Sequence, residues 1–174
     1  MPSLKFSEKI SIINGNPYVR PPDAVLIAVF KQAVKQTSPI PIKGKINRAK
    51  FQQSLVRYQG DWRLYVNIIM AKAAKIKFSK SISEIVGKVA TFEIEFNPNP
   101  PVYKMVAFLK RSLDNNPIAN DNWGKLTPSR QKEILRYFSW LKSDAAKERN
   151  LKKVIEMLTG KEGRYMARSW KDGK

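Results

Sequence analysis

A proline-rich segment near the middle of the chain separates two parts with different hydrophobic patterns. Three of the four residues at 98–101 are proline. Because proline fixes φ and has no N–H to donate, this segment ends any regular element and forms a stiff connector. Before it, apolar and polar residues alternate; after it, apolar residues recur every three or four positions. We therefore expect an α+β chain, with a β-domain at 1–97, a joint at 98–101, a helical region at 102–160 and a basic tail at 161–174.

Six short runs of alternating residues predict six strands before the joint. The runs are centred on residues 4–12, 18–20, 40–46, 51–56, 62–68 and 92–96. The segments Ile13–Asn16 and Tyr58–Asp61 have the composition of turns. A small closed or nearly closed β-barrel is expected, because closure would remove exposed strand edges.

Two helices are expected within this β-domain. Asp23 should open the first, with Ile27, Phe30 and Val34 on one face; a buried strand at 25–30 is the alternative. The segment from Met70 to Lys75 is rich in good helix formers and predicts a second, short helix.

About three helices are expected after the joint, packed on the barrel through their apolar stripes. The first begins near Val102 and ends before Pro117. The second starts at Thr127, a favourable cap, followed by proline at the first helical position. The third restarts at Ser143 and ends at Gly160. The predicted stripes contain Val102, Met105, Leu109 and Leu113, then Ile134, Leu135, Phe138 and Leu141, then Leu151, Val154, Ile155 and Leu158.

The amino-acid composition excludes most kinds of side-chain catalysis and metal binding. The chain has no Cys and no His, so it has no thiol nucleophile, no disulfide, no imidazole base and no thiolate or imidazole metal site. The N-terminal sequence lacks the apolar stretch of a signal peptide, and no run is long enough to span a membrane. We expect a cytoplasmic protein without a cofactor, bound metal or membrane insertion, and we predict no catalytic residues.

The strongest signal for function is positive charge. There are 33 Lys and Arg against 14 Asp and Glu, a formal net charge of +19. The excess is spread over both halves of the chain, so a basic arm does not explain it. Basic residues with interleaved aromatics in the β-domain could hold phosphates and stack bases. The predicted anion or nucleic-acid site contains Lys43, Lys45, Arg48, Lys50, Arg57, Tyr58, Arg63 and Tyr65. A solvated surface that only keeps the protein soluble is the alternative.

A second basic face is predicted on the last two helices. Its members are Arg130, Arg136, Lys147, Arg149, Lys152 and Lys153. These side chains could meet an anionic surface, although the solvent side of amphipathic helices would have the same composition.

Acidic residues are poorer candidates. Glu93 and Glu95 share one face of a strand and could form a carboxylate pair, although the wet side of a half-buried strand is the simpler interpretation. Glu8 lies on an otherwise apolar face, where an ion pair with an inward Lys or Arg is expected in preference to catalysis.

The order of these segments resembles the YdeI/OmpD-associated family. The resemblance is carried by Lys43–Asn47 and Trp62–Asn67, the proline-rich joint, the run Leu126-Thr127-Pro128-Ser129-Arg130-Gln131-Lys132-Glu133, and the close at Leu158–Lys161. It implies a small β-barrel of unknown function followed by a helical region, in a bacterial protein associated with stress or bacteriocin resistance. It implies no established enzyme activity. Two segments depart from the family pattern, residues 141–149 and Gly87-Lys88. If the family has a ligand site that contains residues from these segments, this chain lacks it.

These observations favour a non-catalytic binding protein whose partner is nucleic acid or another polyanion. Two alternatives remain open. One is an enzyme that uses Lys or carboxylate groups on a small anionic substrate, and the other is a module whose C-terminal helices dock a protein partner. The sequence does not specify the oligomeric state.

Overall fold

A computed structural model describes residues 3–161, 163–166 and 168–169 of the chain. It divides the chain into two compact units, Met1–Pro100 and Pro101–Lys174. Each unit has its own hydrophobic core, and each is described by itself. The first unit is mostly β-sheet and the second is mostly helical, so the chain is of the α+β class.

The first unit is built on one seven-stranded antiparallel sheet. Its strands are β1 (Leu4–Lys9), β2 (Ser11–Ile13), β3 (Asn16–Val19), β4 (Ile40–Ile46), β5 (Ala49–Tyr58), β6 (Asp61–Tyr65) and β7 (Val89–Phe96). They are hydrogen-bonded in the order β1-β7-β4-β5-β6-β3-β2. The inner faces of these strands form the core, where Ile40, Ile42, Leu55, Leu64 and Phe92 are fully buried.

The sheet curls into a half-barrel because its two edge strands are almost continuous in sequence. β1 and β2 occupy opposite ends of the strand order, yet only Ile10 separates them. The Ile10 N–H donates to the Lys88 carbonyl at 2.9 Å, and its carbonyl accepts from the Gly87 N–H at 2.8 Å. The predicted count of six strands is wrong, since the run expected as one strand at 4–12 divides at this residue.

The helix α1 (Asp23–Ala33) confirms the helical interpretation and excludes the alternative strand. Its buried face is formed by Val25, Leu26 and Val29. The predicted face is wrong, because Ile27 is 53% exposed and Val34, in the left-handed conformation just after the helix, is 92% exposed. A uniformly apolar segment of this kind does not specify which side is buried.

The strand predicted at 62–68 stops earlier, at Tyr65. Asn67 caps the helix α2 (Ile68–Ala73), its side-chain oxygen accepting from the Met70 N–H at 2.9 Å. The alternation of apolar residues continues to Ile68, but the asparagine cap begins the helix there.

A short 3₁₀ helix, Ile82–Ile85, lies between α2 and β7 and is anchored by one carboxylate. Glu84 accepts backbone N–H bonds from Ser79 at 2.9 Å, from Lys80 at 2.7 Å and from Ser81 at 2.9 Å. These bonds favour the ionised form and lower the pKa of Glu84 to about 2.

We expect acid to loosen this segment. Because the folded pKa lies below the ordinary value of 4.5, the contribution of Glu84 is fully present above pH 4.5 and is lost as the pH falls toward 2. Hydrogen-exchange protection of the Ser79, Lys80 and Ser81 amides should fall over this range and should already be low at pH 5 in Glu84→Gln. Glu148→Gln, at an exposed position on a helix of the second unit, should leave these amides unchanged. Equal protection in the wild type and Glu84→Gln at pH 5 would contradict the assignment.

The second unit contains four helices, one more than predicted. They are α3 (Ala107–Asp114), α4 (Pro117–Lys125), α5 (Pro128–Trp140) and α6 (Asp144–Leu158), which with α1 and α2 make six among the described residues. The first helix ends before Pro117, as predicted, but a further helix begins at this proline. Asn116 caps α4 by accepting from the Ala119 N–H, and Pro117 occupies the first turn of α4. The predicted start near Val102 is wrong: Val102 is 86% exposed and lies before α3, whereas Leu109 and Leu113 are buried as expected.

The predicted starts of α5 and α6 are confirmed. The Thr127 hydroxyl accepts from the Arg130 N–H at 3.2 Å, and the Ser143 hydroxyl accepts from the Ala146 N–H at the same distance. Gly160, with a φ of 80°, follows the end of α6.

Part of the basic tail predicted at 161–174 forms short strands and is packed. The strands β8 (Arg164–Tyr165) and β9 (Arg168–Ser169) pair with each other, and Tyr165 is buried beside Phe138. Its hydroxyl donates to the Asn150 side chain at 3.0 Å, and burial raises the pKa of Tyr165. Residues 162, 167 and 170–174 of the predicted basic tail lie outside the described residues.

Candidate anion-binding face of the sheet

Charged side chains from four neighbouring strands line up in a row on the outer face of the sheet. Lys5 of β1 lies opposite Glu93 of β7, Glu93 lies opposite Lys45 of β4, and Lys45 lies opposite Lys50 of β5. Neighbouring strands are about 4.8 Å apart, so this row crosses about 14 Å of sheet surface. We call this row and its outer-face neighbours the charged face.

A second row lies one step along the same strands. It contains Glu95, Lys43 and Gln52, again directly opposite one another. The Lys43 Nζ is 3.4 Å from a Glu95 carboxylate oxygen, and the Lys45 Nζ is 3.4 Å from a Glu93 oxygen. Two of the predicted site lysines are therefore paired with the two glutamates. This supports the interpretation that Glu93 and Glu95 lie on the solvent-facing side of a half-buried strand.

Glu93 is held in its ionised form by its neighbours. The Ser3 hydroxyl donates to it at 2.6 Å, and this bond together with Lys45 lowers the pKa of Glu93. The carboxylate therefore stays negative at neutral pH and fixes the position of Lys45.

The β4–β5 hairpin places Arg48 at the edge of the charged face. Its two turn residues, Asn47 and Arg48, have φ of 44° and 75°. Asn47 is clamped to β7, since its N–H donates to the Thr91 carbonyl at 2.8 Å and its side chain accepts from the Thr91 N–H at 2.9 Å. The second position of such a turn strongly favours glycine, so an arginine there carries backbone strain.

Two adjoining shallow grooves lie along this face and share Lys45 and Glu93. One encloses about 700 Å³ between Lys43, Lys50, Gln52 and Glu95. The other encloses about 620 Å³ between Lys5, Asn47, Arg48 and Thr91. Most of their lining residues lie on strands of the sheet, which are more rigid than loops.

The charged face has more positive charge than its own glutamates neutralise. Among the described residues, no carboxylate lies within 4.0 Å of Arg48, Lys50 or Lys5, although Lys5 is close enough to Glu93 to lower its pKa. Lys50 also lies directly opposite Lys45, and like charges at opposed positions destabilise a sheet. An anion between them would relieve this repulsion.

The other predicted members of the barrel site lie elsewhere. Arg57 is near the β5–β6 turn, where its Nε donates to the Gly60 carbonyl at 3.2 Å. Arg63 is buried between the rings of Tyr18 and Tyr58, and Tyr65 lies edge-on to Tyr18. The aromatics expected to interleave with the lysines are thus grouped at the opposite end of β5.

The predicted basic face of the second unit is not one surface. Arg130 is buried, forms an ion pair with Glu133 at 3.1 Å and donates to the Tyr165 carbonyl. Arg136 lies over the exposed ring of Trp140 at 5.4 Å. Lys147 and Lys152 are paired with Asp144 and Glu156. Of the six residues predicted for this face, Arg149 and Lys153 are the exposed cations with no ion pair among the described residues.

Glu8, the remaining acidic candidate, forms no ion pair with a Lys or Arg of the described residues. Glu8 is half-buried, and its carboxylate accepts from the Lys9 N–H at 3.0 Å. No Lys or Arg lies within 4.0 Å of it in the described part of the chain, so the expected ion pair is wrong. The described residues contain no cluster of three acidic side chains suited to a metal ion.

Sequence reasoning missed Lys5, Ser3 and Asn47 as members of the charged face. Alternation in β1 already turns Lys5 away from the core. Its neighbours on β7, however, are separated from it by more than 80 residues, and a pairing of this range leaves no local signal.

Comparison with known proteins gives a family match that lies within the second unit. Residues 103–160 match the family model described as bacteriocin-protection, YdeI or OmpD-associated. The match confirms the resemblance for this segment, about a third of the chain. No curated protein gives a significant match to the chain. No helix among the described residues is long and apolar enough to cross a membrane.

Proposed function

We propose that this protein is a non-catalytic binding protein that holds an anionic polymer across the charged face of its sheet. The observation that carries the proposal is the row of Lys5, Glu93, Lys45 and Lys50 on four adjacent strands, with Arg48 beside it. Binding of this type is driven by the release of counterions from the polymer as cations neutralise its charges.

The two glutamates help to define the site. Their ion pairs restrict the side chains of Lys43 and Lys45, so less side-chain entropy is lost when an anion binds. Lys50 and Arg48, without such partners, are the cations most available to the ligand.

The strain at Arg48 supports a role in binding. Glycine would fit this turn position at lower cost, and backbone strain of this kind is concentrated at functional sites. An arginine here projects an exposed guanidinium from a hairpin that Asn47 clamps to β7.

The alternative of an enzyme has less support from the geometry. Glu93 and Glu95 are paired with lysines at 3.4 Å, and neither is a free carboxylate in an enclosed cavity. The grooves are open and lined largely by charged side chains, as suits a polymer better than a small substrate.

A binding measurement tests the proposal. Fluorescence anisotropy with labelled inorganic polyphosphate should show binding at low salt, and the logarithm of affinity should fall linearly with the logarithm of salt concentration. Arg48→Gly should reduce the magnitude of this slope by about 0.7 to 0.9, the contribution of one phosphate contact. Because glycine relieves the turn strain, thermal stability should not decrease. An absence of polyphosphate binding at low salt would overturn the proposal.

A further inference from the structure

A cluster of tyrosines lies at the other end of the same outer face. Val56 of β5 is opposite Arg63 of β6, and Tyr65 of β6 is opposite Tyr18 of β3. These residues, together with Tyr58, point away from the core, since the neighbouring positions Leu55 and Leu64 are buried. The tyrosine cluster comprises Tyr18, Tyr58 and Tyr65, grouped around Arg63.

Arg63 fixes two of these rings in place. Its guanidinium carbon lies 4.8 Å from the centre of the Tyr18 ring and 5.1 Å from that of Tyr58. The side chain is 5% exposed, and its Nε and Nη1 have no hydrogen-bond acceptor among the described residues. Its ion pair with Asp61 is long, at 3.9 Å. The ring faces are therefore the main partners of this cation.

Tyr58 is the open member of the cluster. It is 40% exposed, and its hydroxyl accepts from the Asn14 side-chain amide at 3.2 Å. Arg63 on one side and Asn14 at the hydroxyl hold the ring, so a planar ligand would meet an aromatic surface that is already positioned.

One strand connects this ring to the charged face. The outward residues of β5 are Lys50, Gln52, Ser54, Val56 and Tyr58. Tyr58 is eight positions after Lys50, which corresponds to about 26 Å of extended strand. A single polymer lying along β5 could therefore contact cations at one end and the tyrosine ring at the other.

We propose that the anionic polymer is single-stranded nucleic acid, with phosphates at Lys45, Arg48 and Lys50 and a base stacked on Tyr58. This inference rests on the proposed function and adds the class of ligand. A ligand that contacts both the cations near Lys50 and the ring of Tyr58 must carry repeated negative charges and accessible planar rings. Single strands have both, and base stacking on aromatic side chains is tolerant of sequence. In a duplex the ring faces are stacked inside the helix and cannot reach Tyr58.

Substitution of Tyr58 separates stacking from charge. Tyr58→Leu keeps an apolar cover over Arg63 but removes the ring, and Tyr58→Phe keeps the ring but removes the hydroxyl. Binding is measured with oligothymidylate of about 12 nucleotides, within the site sizes of small barrels, and with inorganic polyphosphate, which has no bases. Tyr58→Leu should weaken oligothymidylate binding about tenfold and leave polyphosphate binding unchanged. Tyr58→Phe should retain most of the oligothymidylate affinity.

The outcomes distinguish this inference from the proposed function. If the wild type binds polyphosphate but not oligothymidylate, the inference fails and the proposed function stands. If Tyr58→Leu lowers both affinities equally, or lowers neither, stacking on this ring is excluded. If the wild type binds neither polymer, both proposals fail.

Discussion

The double variant Arg48→Glu/Lys50→Glu is expected to lose about 100-fold in affinity for polyphosphate at low salt, since each lost charge-assisted contact costs about 1.5 kcal/mol. The fold should tolerate the change. Glutamate at position 50 would face Lys45 across the strand pair and replace a repulsion with an attraction. Loss of binding would then coincide with unchanged or improved thermal stability, which separates the role of these residues in binding from any role in folding.

A matched control is available on α6. Arg149 and Lys153 are also exposed cations without an ion pair among the described residues, so Arg149→Glu/Lys153→Glu changes the net charge of +19 by the same amount. This variant should bind polyphosphate within about threefold of the wild type, because these two cations belong to the helical unit and make none of the phosphate contacts proposed for the sheet. Equal losses in the two variants would mean that attraction follows total charge and that the sheet has no localised site.

Gly44→Ala is expected to destabilise the sheet unit by about 3 kcal/mol, at the upper end of the range for overpacking. A Cβ at this position would lie 1.9 Å from the Glu93 carbonyl oxygen. That oxygen belongs to the backbone of the neighbouring strand, so no side-chain rotation relieves the clash. The substitution would force β4 and β7 apart at the point where Lys43 and Lys45 meet their glutamates, and binding should weaken as well.

Gly124→Ala is the matched control for this substitution. Gly124 lies in α4, and a Cβ there would meet nothing within 4 Å. Alanine should stabilise the helix by up to about 1 kcal/mol. Urea unfolding followed by circular dichroism should therefore shift in opposite directions for the two variants. A neutral or stabilising Gly44→Ala would contradict the described approach of β4 to β7.

Local sequence signals predicted the elements that depend on local chemistry. The Thr127-Pro128 and Ser143-Asp144 starts are confirmed because a hydroxyl cap and the first helical residues are adjacent in sequence. The turn at Asn14-Gly15, with both φ positive, follows from the same kind of local preference.

Errors occurred where tertiary packing decides the outcome. In α1, the eight residues from Ala24 to Phe30 and Ala33 are apolar, and only the position of the sheet determines that Val29 is buried and Ile27 is not. Arginine is usually exposed, so Arg63 and Arg130 were expected on the surface. Both are buried, Arg63 against two tyrosine rings and Arg130 in an ion pair with Glu133. Composition alone gives no sign of such compensation.

In the candidate site, too, the features that depend on local sequence were predicted and those that depend on tertiary packing were not. Lys43, Lys45, Arg48 and Lys50 were predicted together because one hairpin carries them, and the register of β4 and β5 brings them to one face. The pairing of Lys5 with Glu93, and of Glu93 with Lys45, joins three strands that are distant in sequence. The separation of the tyrosines from the lysines likewise depends on the path of β5 and β6.

The location of the binding face is tested most directly by amide chemical-shift mapping of the full chain during titration with polyphosphate. We expect the largest shifts at Lys5, at residues 43–50 and at Glu93, with little change along α5 and α6. Shifts concentrated on the helices of the second unit, or spread evenly over the cationic residues of both units, would contradict a binding site on the outer face of the sheet.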